Sequence, residues 1–269
     1  MPLAICATPI GNLGDVTLRV LEELAEAHLV LCEDTRRTRI LLGRHGVKTR
    51  LESYHRHNEA TRLPAVLSKL KQGTRIALVS DAGLPGVNDP GARLIAGALD
   101  SGVPITVLPG PSAVETALVA SGLVSDRYQF VGYVPRRSGE RRALAEELAR
   151  WPHAVVAFES PRRTPETLSV LAEVMPERQC AVCRELTKRF EEVVRGTLVD
   201  LAERFAEPPR GEITLVLGTY DVVGGAVDES SALGAVAELV SAGVSRRQAA
   251  GVVARLSGVP RNSLYRGSL

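Results

Sequence analysis

Short uninterrupted apolar runs recur through the first part of the chain, and each is followed by a polar or glycine-rich stretch. Runs of this kind are typical of strands buried on both faces of a parallel sheet. Between them, apolar positions repeat at helical spacing. This alternation predicts an α/β domain with parallel strands. The predicted strands cover residues 3–7, 29–32, 49–53, 76–79 and 105–108, and the clearest helices cover residues 17–27 and 114–121.

A second set of apolar runs follows and predicts a second α/β domain. We place the first domain at residues 1–123 and the second at residues 124–222. The expected fold class is therefore α/β, with two domains of this kind. The strands predicted for the second domain cover residues 154–158, 179–183, 191–195 and 213–217.

The C-terminal stretch, residues 228–269, has a purely helical pattern. One helix ends at Gly243, and the sequence from Ser245 to Gln248 is a capping box that begins a second. A short third helix is predicted over residues 260–266, so the pattern is that of a helix-turn-helix unit. The apolar positions of the two longer helices are Leu233, Val236, Ala237, Val240, Ala249, Ala250, Val253 and Leu256.

The net charge of +2 is small, so the sum neither requires nor excludes a nucleic-acid partner. The distribution is more informative, because no acid follows Glu238 while arginines continue almost to the end of the chain. A basic helix-turn-helix unit favours contact with nucleic-acid phosphates over packing alone. Its arginines are Arg246, Arg247, Arg255, Arg261 and Arg266.

No apolar run reaches the ~18 residues of a membrane-spanning helix, and the N-terminus lacks the basic region of a signal peptide. We therefore expect a cytoplasmic protein. Cys6 and Cys32 lie in apolar segments and are expected to be buried thiols. Cys180 and Cys183 are three residues apart on a predicted strand. Their side chains should therefore point to opposite faces, which excludes a shared disulfide or metal.

The loop after the predicted strand at residues 76–79 is rich in glycine and proline and holds Asp81. This composition permits no regular element. The loop therefore lies at the carboxyl end of a buried strand, where open α/β sheets bind their ligands. Small residues there let a ligand approach the backbone closely. We predict a ligand site around Asp81, and a helix that begins near Asp89 and Pro90.

Two further loops follow predicted strands. In the first, Asp15 is the expected N-cap of the next helix, and the spacing of Gly11 and Gly14 matches neither the dinucleotide fingerprint nor the P-loop. Ser112 lies at the start of the helix that follows residues 105–108. We expect its hydroxyl to donate a hydrogen bond to a bound ligand.

Glu33 and Asp34 directly follow the second predicted strand, with arginines after them. At such a sheet edge, arginines beside acids can bind a phosphate or orient a hydroxyl. His55 and His57 favour polar substrate contacts over a metal site, because no third ligand stands at metal spacing. Aromatic residues lie among arginines over residues 125–140. This pattern is typical either of nucleic-acid contact or of a segment that holds two domains together.

Several segments of the chain carry motifs in a distinctive combination. They are A-T-P-I-G-N-L-G-D, E-D-T-R-R-T, H-R-H-N-E, S-D-A-G-L-P-G-V-N-D-P-G, L-P-G-P-S-A, F-E-S-P-R-R, R-E-L-T-K-R-F-E-E and G-E-I-T-L-V-L. Together they resemble the bacterial 16S rRNA cytidine 2′-O-methyltransferases, a branch of the tetrapyrrole methylases. The resemblance spans nearly the whole chain, and the motifs around Asp34 and Asp81 are specific to this branch.

The resemblance implies a homodimer in which two α/β domains of tetrapyrrole-methylase type hold S-adenosylmethionine in a cleft between them. It also implies methyl transfer to the ribose hydroxyl of a decoding-centre cytidine in the small ribosomal subunit. Leu84 and Arg162 depart from the family, which more often has Thr and His there, so those side-chain contacts do not carry over. The cofactor contacts implied are Pro9, Ile10, Asp81, Ala82, Gly83, Leu84, Ser112, Ala113, Phe158 and Thr214.

Catalysis of such a transfer mainly requires the ribose oxygen to be held in line with the methyl–sulfur bond. A base for the hydroxyl proton adds to the rate. We hypothesise that Glu33 or Asp34 orients or deprotonates the hydroxyl, and that Lys188 completes the catalytic set by holding an RNA phosphate. The expected RNA contacts are Arg36, Arg184, Arg246, Arg247 and Arg261, and no metal is expected.

Two other interpretations stay open at this point. One is a tetrapyrrole or other small-molecule methylase that uses the same cofactor cleft, although such a substrate needs no basic C-terminal unit. The other is an RNA-binding ribosome-assembly factor without enzymatic activity, whose cofactor pocket is vestigial. Calorimetry with S-adenosylmethionine separates the second, since a vestigial pocket gives no binding heat.

Overall fold

The first sheet has five parallel strands in the order β3-β2-β4-β1-β5. The computed structural model describes residues 2–220, 229–257 and 259–268. The five predicted strands are confirmed, although the third begins two residues later than expected. They are β1 (Leu3–Cys6), β2 (Leu29–Cys32), β3 (Leu51–Ser53), β4 (Ile76–Val79) and β5 (Ile105–Leu108).

Helices flank this sheet and bury two apolar layers, one against each face. The predicted N-cap of the first helix is wrong. Thr17, not Asp15, caps it, because the Thr17 hydroxyl accepts a hydrogen bond from the Val20 amide at 3.2 Å. Asp15 lies instead in a 3-10 turn, Leu13–Asp15. The helices are α1 (Leu18–Glu26), α2 (Thr35–Arg44), α3 (Glu59–Lys71), α4 (Ala92–Asp100) and α5 (Ala113–Ser121).

The second sheet is mixed and has the order β6-β7-β10-β8-β9. Only the β6–β7 pair is parallel among its described pairs. The aromatic stretch expected between the domains supplies the edge strand β6, so it belongs to the sheet itself. The strands are β6 (Tyr128–Tyr133), β7 (Ala154–Glu159), β8 (Gln179–Arg184), β9 (Glu192–Thr197) and β10 (Ile213–Leu217), and the helices are α6 (Ser138–Leu148), α7 (Thr164–Val174) and α8 (Leu198–Arg204).

The two cysteines of β8 occupy opposite faces of the second sheet, as predicted. Cys180 packs in one apolar cluster with Leu168. Cys183 packs in another with Ala117 of α5. All four cysteines of the chain are buried and carry free thiols.

Three helices follow, α9 (Glu229–Ser241), α10 (Arg246–Ser257) and α11 (Arg261–Gly267). They bury a core of their own, and residues 221–228 before them lie outside the described residues. The prediction that Leu256 lies on the apolar face of α10 is wrong: this side chain is 80% exposed, and it does not belong to the core that Val253 and Ala250 form with the other helices. Across the described parts of the chain, no helix has both the length and the apolarity to cross a bilayer. The buried core residues are Ala232, Val236, Ala249, Ala250, Val253 and Leu264.

Helix α5 follows the first sheet in sequence but packs against the second. Ala117 and Leu118 share one apolar cluster with Val156 and Val216 of the second sheet. At the end of the helix, the Arg195 guanidinium donates to the Ser121 carbonyl at 2.7 Å. The two sheets are therefore held in a fixed relation, with a space between the strand ends of the first and the edge of the second.

A second contact between the domains lies at Gly11, in the loop after β1. The Asn12 amide donates to the Thr187 hydroxyl at 3.0 Å. A β-carbon at Gly11 would lie 2.5 Å from Cγ of Lys188 and 2.8 Å from the carbonyl oxygen of Leu186. Glycine is therefore required for the two loops to meet.

We expect Gly11→Ala to lower the free energy of unfolding by about 1–3 kcal/mol, because the loop of the second domain must move to accept a methyl group. Urea unfolding followed by circular dichroism measures this. Gly43→Ala in α2 is the matched control, because nothing lies within 4 Å of its added β-carbon. That variant should be equally or slightly more stable. Equal stability of Gly11→Ala and the unchanged chain would contradict the close contact.

Candidate active site

A cavity of about 820 Å³ lies between the carboxyl ends of the first-sheet strands and the inner edge of the second sheet. Its size falls in the range of small-molecule and cofactor sites. Nine of the ten side chains expected at the cofactor line it, and the tenth, Pro9, lines a smaller neighbouring pocket. The nine are Ile10, Asp81, Ala82, Gly83, Leu84, Ser112, Ala113, Phe158 and Thr214.

The floor of this cavity is the loop after β4, and backbone pairing with the loop after β1 fixes it. Thr8 and Gly83 exchange two backbone hydrogen bonds, of 2.9 and 3.0 Å. The Thr8 hydroxyl donates to the Ser80 carbonyl at 3.0 Å, and the Ser80 hydroxyl donates to the Gly83 carbonyl at 3.0 Å. Gly83 has a φ of +80°, which favours glycine. The Asp81 carboxylate accepts from the Asp34 amide at 3.0 Å.

Glu33 and Asp34 are adjacent in sequence but have different surroundings. Asp34 is the N-cap of α2 and accepts from the Arg36 amide at 2.8 Å and from its guanidinium at 2.7 and 3.1 Å. These bonds hold the pKa of Asp34 well below its usual range. Glu33 lines the cavity, and burial together with the nearby Asp81 charge raises its pKa. Glu33 is therefore the better proton acceptor of the two.

Asp89, which is not among the predicted site residues, is one of six acids that line the cavity. The helix predicted to begin near Asp89 and Pro90 begins at Ala92, with Gly91 as its N-cap. Asp89 therefore lies in the loop and does not cap the helix. Burial, with further contributions from Glu33 and Asp81, raises the pKa of Asp89 to about 6. An aspartate in a glycine- and proline-rich loop past a strand end was the available signal.

The hydroxyl expected to meet a ligand at Ser112 has an intramolecular partner. It donates to the Glu115 carboxylate, which also accepts from the Tyr128 hydroxyl at 2.7 Å. Ser112 occupies the N-cap position of α5 without capping it through its side chain. The cavity wall at this point is therefore held by an acid shared between α5 and β6.

Three basic residues expected at RNA or at the reacting centre are paired with acids. Lys188 Nζ lies 2.9 Å from carboxylate oxygens of both Glu185 and Glu212. Although burial opposes its charge, these two acids raise the pKa of Lys188, so Lys188 stays protonated. Arg184 pairs with Glu192 at 3.0 Å, and Arg36 pairs with Asp34 as described above.

The remaining predicted residues are not among those that line the cavity. The rings of His55 and His57 are 5.9 Å apart, and no group of three or more metal-ligating side chains occurs among the described residues. Of the arginines on α10 and α11, Arg247 and Arg261 are exposed and Arg246 is half-buried. None of these three forms an ion pair with another described residue.

A family model described as Tetrapyrrole (Corrin/Porphyrin) Methylases matches residues 2–202. The chain belongs to the tetrapyrrole methylase family. The match covers the first sheet and the second sheet as far as α8, and it ends before β10 and the three C-terminal helices. Membership of this family accounts for the two-sheet architecture and confirms the predicted α/β fold class.

The relatives of this family member include full-length matches. A ribosomal RNA small subunit methyltransferase I of Mesorhizobium japonicum is 43% identical over 98% of this chain and 90% of the relative. A protein of the same name from Micromonospora olivasterospora is 41% identical over 98% of the chain and 85% of the relative. The solved uroporphyrin-III C-methyltransferase of Thermus thermophilus, complexed with S-adenosylhomocysteine, is 21% identical, with a TM-score of 0.57 over 82% of this chain and 98% of that one. This last likeness shows the fold alone.

The raised pKa of Asp89 predicts a pH-dependent stability. The folded chain keeps a proton on Asp89 up to a pH of about 6, whereas the unfolded chain releases it near 3.8. The free energy of unfolding therefore falls as the pH rises through this window. Because Asp89→Asn removes the charge, we expect its free energy of unfolding to equal that of the unchanged chain near pH 3.8. Well above pH 6, the free energy of unfolding of this variant should be larger than that of the unchanged chain by ~1–2 kcal/mol, after a discount for solvent screening.

Urea unfolding near pH 3.8 and well above pH 6 tests this expectation. Asp126→Asn, at an exposed loop position, is the matched control and should follow the unchanged chain at both. If Asp89→Asn shows the same stability difference at both pH values, the buried-charge account of Asp89 is wrong.

Proposed function

We propose that this chain transfers a methyl group from S-adenosylmethionine to the 2′ hydroxyl of a decoding-centre cytidine in 16S rRNA. The cavity between the two sheets carries the proposal, because it brings together the residues expected at the methyl donor and the Glu33 carboxylate, which forms no ion pair with another described residue. The curated relatives, named as small-subunit rRNA methyltransferases at 41–43% identity, support rRNA as the substrate. The ribose of a cytidine is the finer part of the proposal.

The residues of the cavity fit the cofactor. Ile10, Ala113 and Phe158 give an apolar surface for the adenine, and the carboxylates of Glu33 and Asp81 complement a cationic ligand. Gly83 lines the cavity without a side chain, so it leaves room there for the cofactor. When bound, the cofactor supplies a methyl group on a positively charged sulfur, which is already activated for transfer.

The side chains of the chain itself would orient the acceptor. Glu33 would hold the ribose hydroxyl at the cavity mouth, since its carboxylate is not used by a helix cap. Asp34 would not contact the hydroxyl itself. It would fix the start of α2, and its amide would hold the Asp81 carboxylate in place. Lys188 would keep the second-domain loop closed over Gly11 and present a positive charge near the RNA. Such positioning contributes most of the rate in transfers from an activated donor.

RNA would be held outside the cavity. Arg36 and Arg184 each lie next in sequence to a cavity-lining residue, Arg37 and Cys183. Their acid partners would give way to phosphates, which form strong bidentate pairs with arginine. Arg246, Arg247 and Arg261 would supply a second phosphate contact from the C-terminal helices. This separation of a small cofactor cavity from a basic helical unit suits a large polyanionic substrate.

A tetrapyrrole substrate is the second candidate, because the solved fold neighbours are named as uroporphyrin-III methyltransferases. Their identity to this chain is 21–22%, far below that of the rRNA methyltransferase relatives. Arg246, Arg247 and Arg261, which form no ion pair with another residue that the structure describes, have no use with a porphyrinoid. The rRNA assignment is therefore favoured.

We also infer that the enzyme works as a homodimer in the cytoplasm, where small subunits are found. Val107 on the edge strand β5 and Val119 on α5 are 53% and 70% exposed. Apolar side chains of this kind at a sheet edge are typical of covered surfaces. Sedimentation equilibrium of the full chain measures the oligomeric state.

The methylation reaction is tested with tritiated S-adenosylmethionine and small subunits from a strain that lacks the corresponding activity. We expect label in a single nucleoside of 16S rRNA, recovered as 2′-O-methylcytidine after digestion. Label on a base would contradict the ribose chemistry. Label on a porphyrinoid but not on subunits would favour the second candidate, and binding heat without any transfer would favour a vestigial pocket.

The C-terminal arginines are tested by the salt dependence of binding to small subunits. For Arg247→Gln with Arg261→Gln, we expect weaker binding and a slope of log K against log salt that is smaller by about 1.5–2, because two phosphate contacts are lost. Filter binding measures this, and S-adenosylhomocysteine affinity should not change. Arg150→Gln, at an exposed position beyond α6, is the control. An unchanged slope in the double variant would exclude these helices from phosphate binding.

A further inference from the structure

Asp89 is a cavity acid for which the function proposed above has no use. It is partly buried and lies in the loop between β4 and α4. Asp89 and Glu33 line the same cavity. Unlike Asp34, Asp89 caps no helix.

The loop that carries Asp89 is held from both domains. On one side, the Arg56 guanidinium donates to the Asn88 carbonyl. On the other, Asn88 packs against Gly132 of β6, where an added β-carbon would lie 3.0 Å from the Asn88 amide nitrogen and oxygen. Asn88 has a φ of 60° and Gly132 a φ of 71°. Glycine adopts this left-handed conformation without strain, and Asn tolerates it better than most other residues. The position of Asp89 is therefore fixed at the junction of the two domains.

Charged and titratable groups from several elements face Asp89. Glu33 follows β2, Asp81 follows β4, and Arg56 follows β3; all three interact electrostatically with Asp89, and the uncharged Ser80 side chain adds a hydrogen bond. Tyr133 of β6 faces both Asp89 and Glu33 across the cavity, and Glu212 faces Tyr133 from the second domain. Arg37 and His55 face Glu33. The acids outnumber the cations here, so the site favours retention of a proton.

We propose that Asp89 is a second catalytic carboxylate, which works with Glu33 as a pair to accept the proton of the ribose hydroxyl. This inference rests on the proposed function. The proton passes from the hydroxyl oxygen to a carboxylate oxygen of the pair. The electron pair freed on the ribose oxygen forms the new bond to the methyl carbon. The carbon–sulfur bond breaks with its electrons on sulfur, which leaves a neutral thioether and a 2′ methyl ether.

A pair of nearby carboxylates suits this step better than a single exposed acid. Two like charges in a partly buried site resist full ionisation, so the pair readily takes up one proton. A base whose pKa lies close to the working pH is also the most effective. The Asp89 pKa of about 6 meets that condition, whereas Asp34, with its lowered pKa, does not.

Single-turnover methyl transfer to small subunits over a pH series tests the pair. For the unchanged chain we expect the rate to rise with pH and level off above a midpoint near 6, in line with the pKa of Asp89. Asp89→Asn and Glu33→Gln should each lower the plateau by ~10–100-fold. The double variant should lose little more than either single variant, because the two acids act as a unit. Asp126→Asn should retain the full rate.

Calorimetry with S-adenosylhomocysteine separates this role from cofactor binding. We expect Asp89→Asn to bind S-adenosylhomocysteine with an affinity within ~3-fold of that of the unchanged chain. A variant that loses rate without losing affinity has lost an interaction made in the transition state. A large loss of affinity with an unchanged rate at saturation would make Asp89 a cofactor contact and overturn the proposal. An unchanged plateau and pH midpoint in Asp89→Asn would overturn it as well.

Carboxyl ¹³C NMR of the cofactor-free chain gives a reading that does not depend on methyl transfer. The Asp89 signal, assigned by its loss in Asp89→Asn, should titrate with a midpoint near 6. In Glu33→Gln that midpoint should move to lower pH, because the neighbouring charge is gone. No change in Glu33→Gln would show that the two acids are not paired. A paired titration in a chain that methylates no ribose would leave the pair intact and refute the proposed function instead.

Discussion

The packing of α5 against the second sheet is the contact on which the rest of the structure depends. This helix starts at the cavity, where Ser112 and Ala113 form part of the wall, and runs away from it across the second sheet. Leu118 and its neighbours exclude water between the domains, and Arg195 donates to the carbonyls of Ala120 and Ser121 at the helix end. Because the helix is rigid, the strand ends of the first sheet are held at a set distance from the second.

Charge balance is the second constraint on the cavity. Glu33, Asp81 and Asp89 come from loops after two strands, and the chain sets Arg37 and Arg56 beside them. A cationic methyl donor suits such a site, because it reduces the repulsion among the acids. The same acids disfavour an anionic ligand in this space. Phosphate groups are therefore better received at the rim and at the distant arginines.

The buried parallel strands were predictable from the sequence because they are short, apolar on both faces and bounded by charge. β2 and β4 begin and end where the pattern places them, and so does the edge strand β5, which is only partly buried. The parallel pairing of β6 was not predictable, because an edge strand with Tyr128 and Tyr133 exposed to solvent has the pattern of an aromatic surface segment. Strand order in the second sheet depends on long-range pairing, which a local pattern does not encode.

Within the site, the sequence identified the loops correctly but not the role of each acid. Glu33 and Asp34 have the same chemistry and adjacent numbers. The bonds from Arg36 to Asp34, and the burial of Glu33 beside Asp81, distinguish them. The sequence predicts a helix start near Asp89 and Pro90, because Pro is common at the first position of a helix. The positive φ of Gly91 moves that start to Ala92. Differences of this kind arise from backbone geometry after folding, so a residue pattern alone does not separate them.

The buried cysteines have a consequence for handling the protein. Burial raises the pKa of the Cys6 and Cys183 thiols to about 12, and it raises those of Cys32 and Cys180 as well. Only thiolates react readily with peroxides, maleimides or iodoacetamide. The native fold is thus inert to such reagents without mutation. A single cysteine introduced on its surface would be the sole attachment point for a fluorophore or spin label.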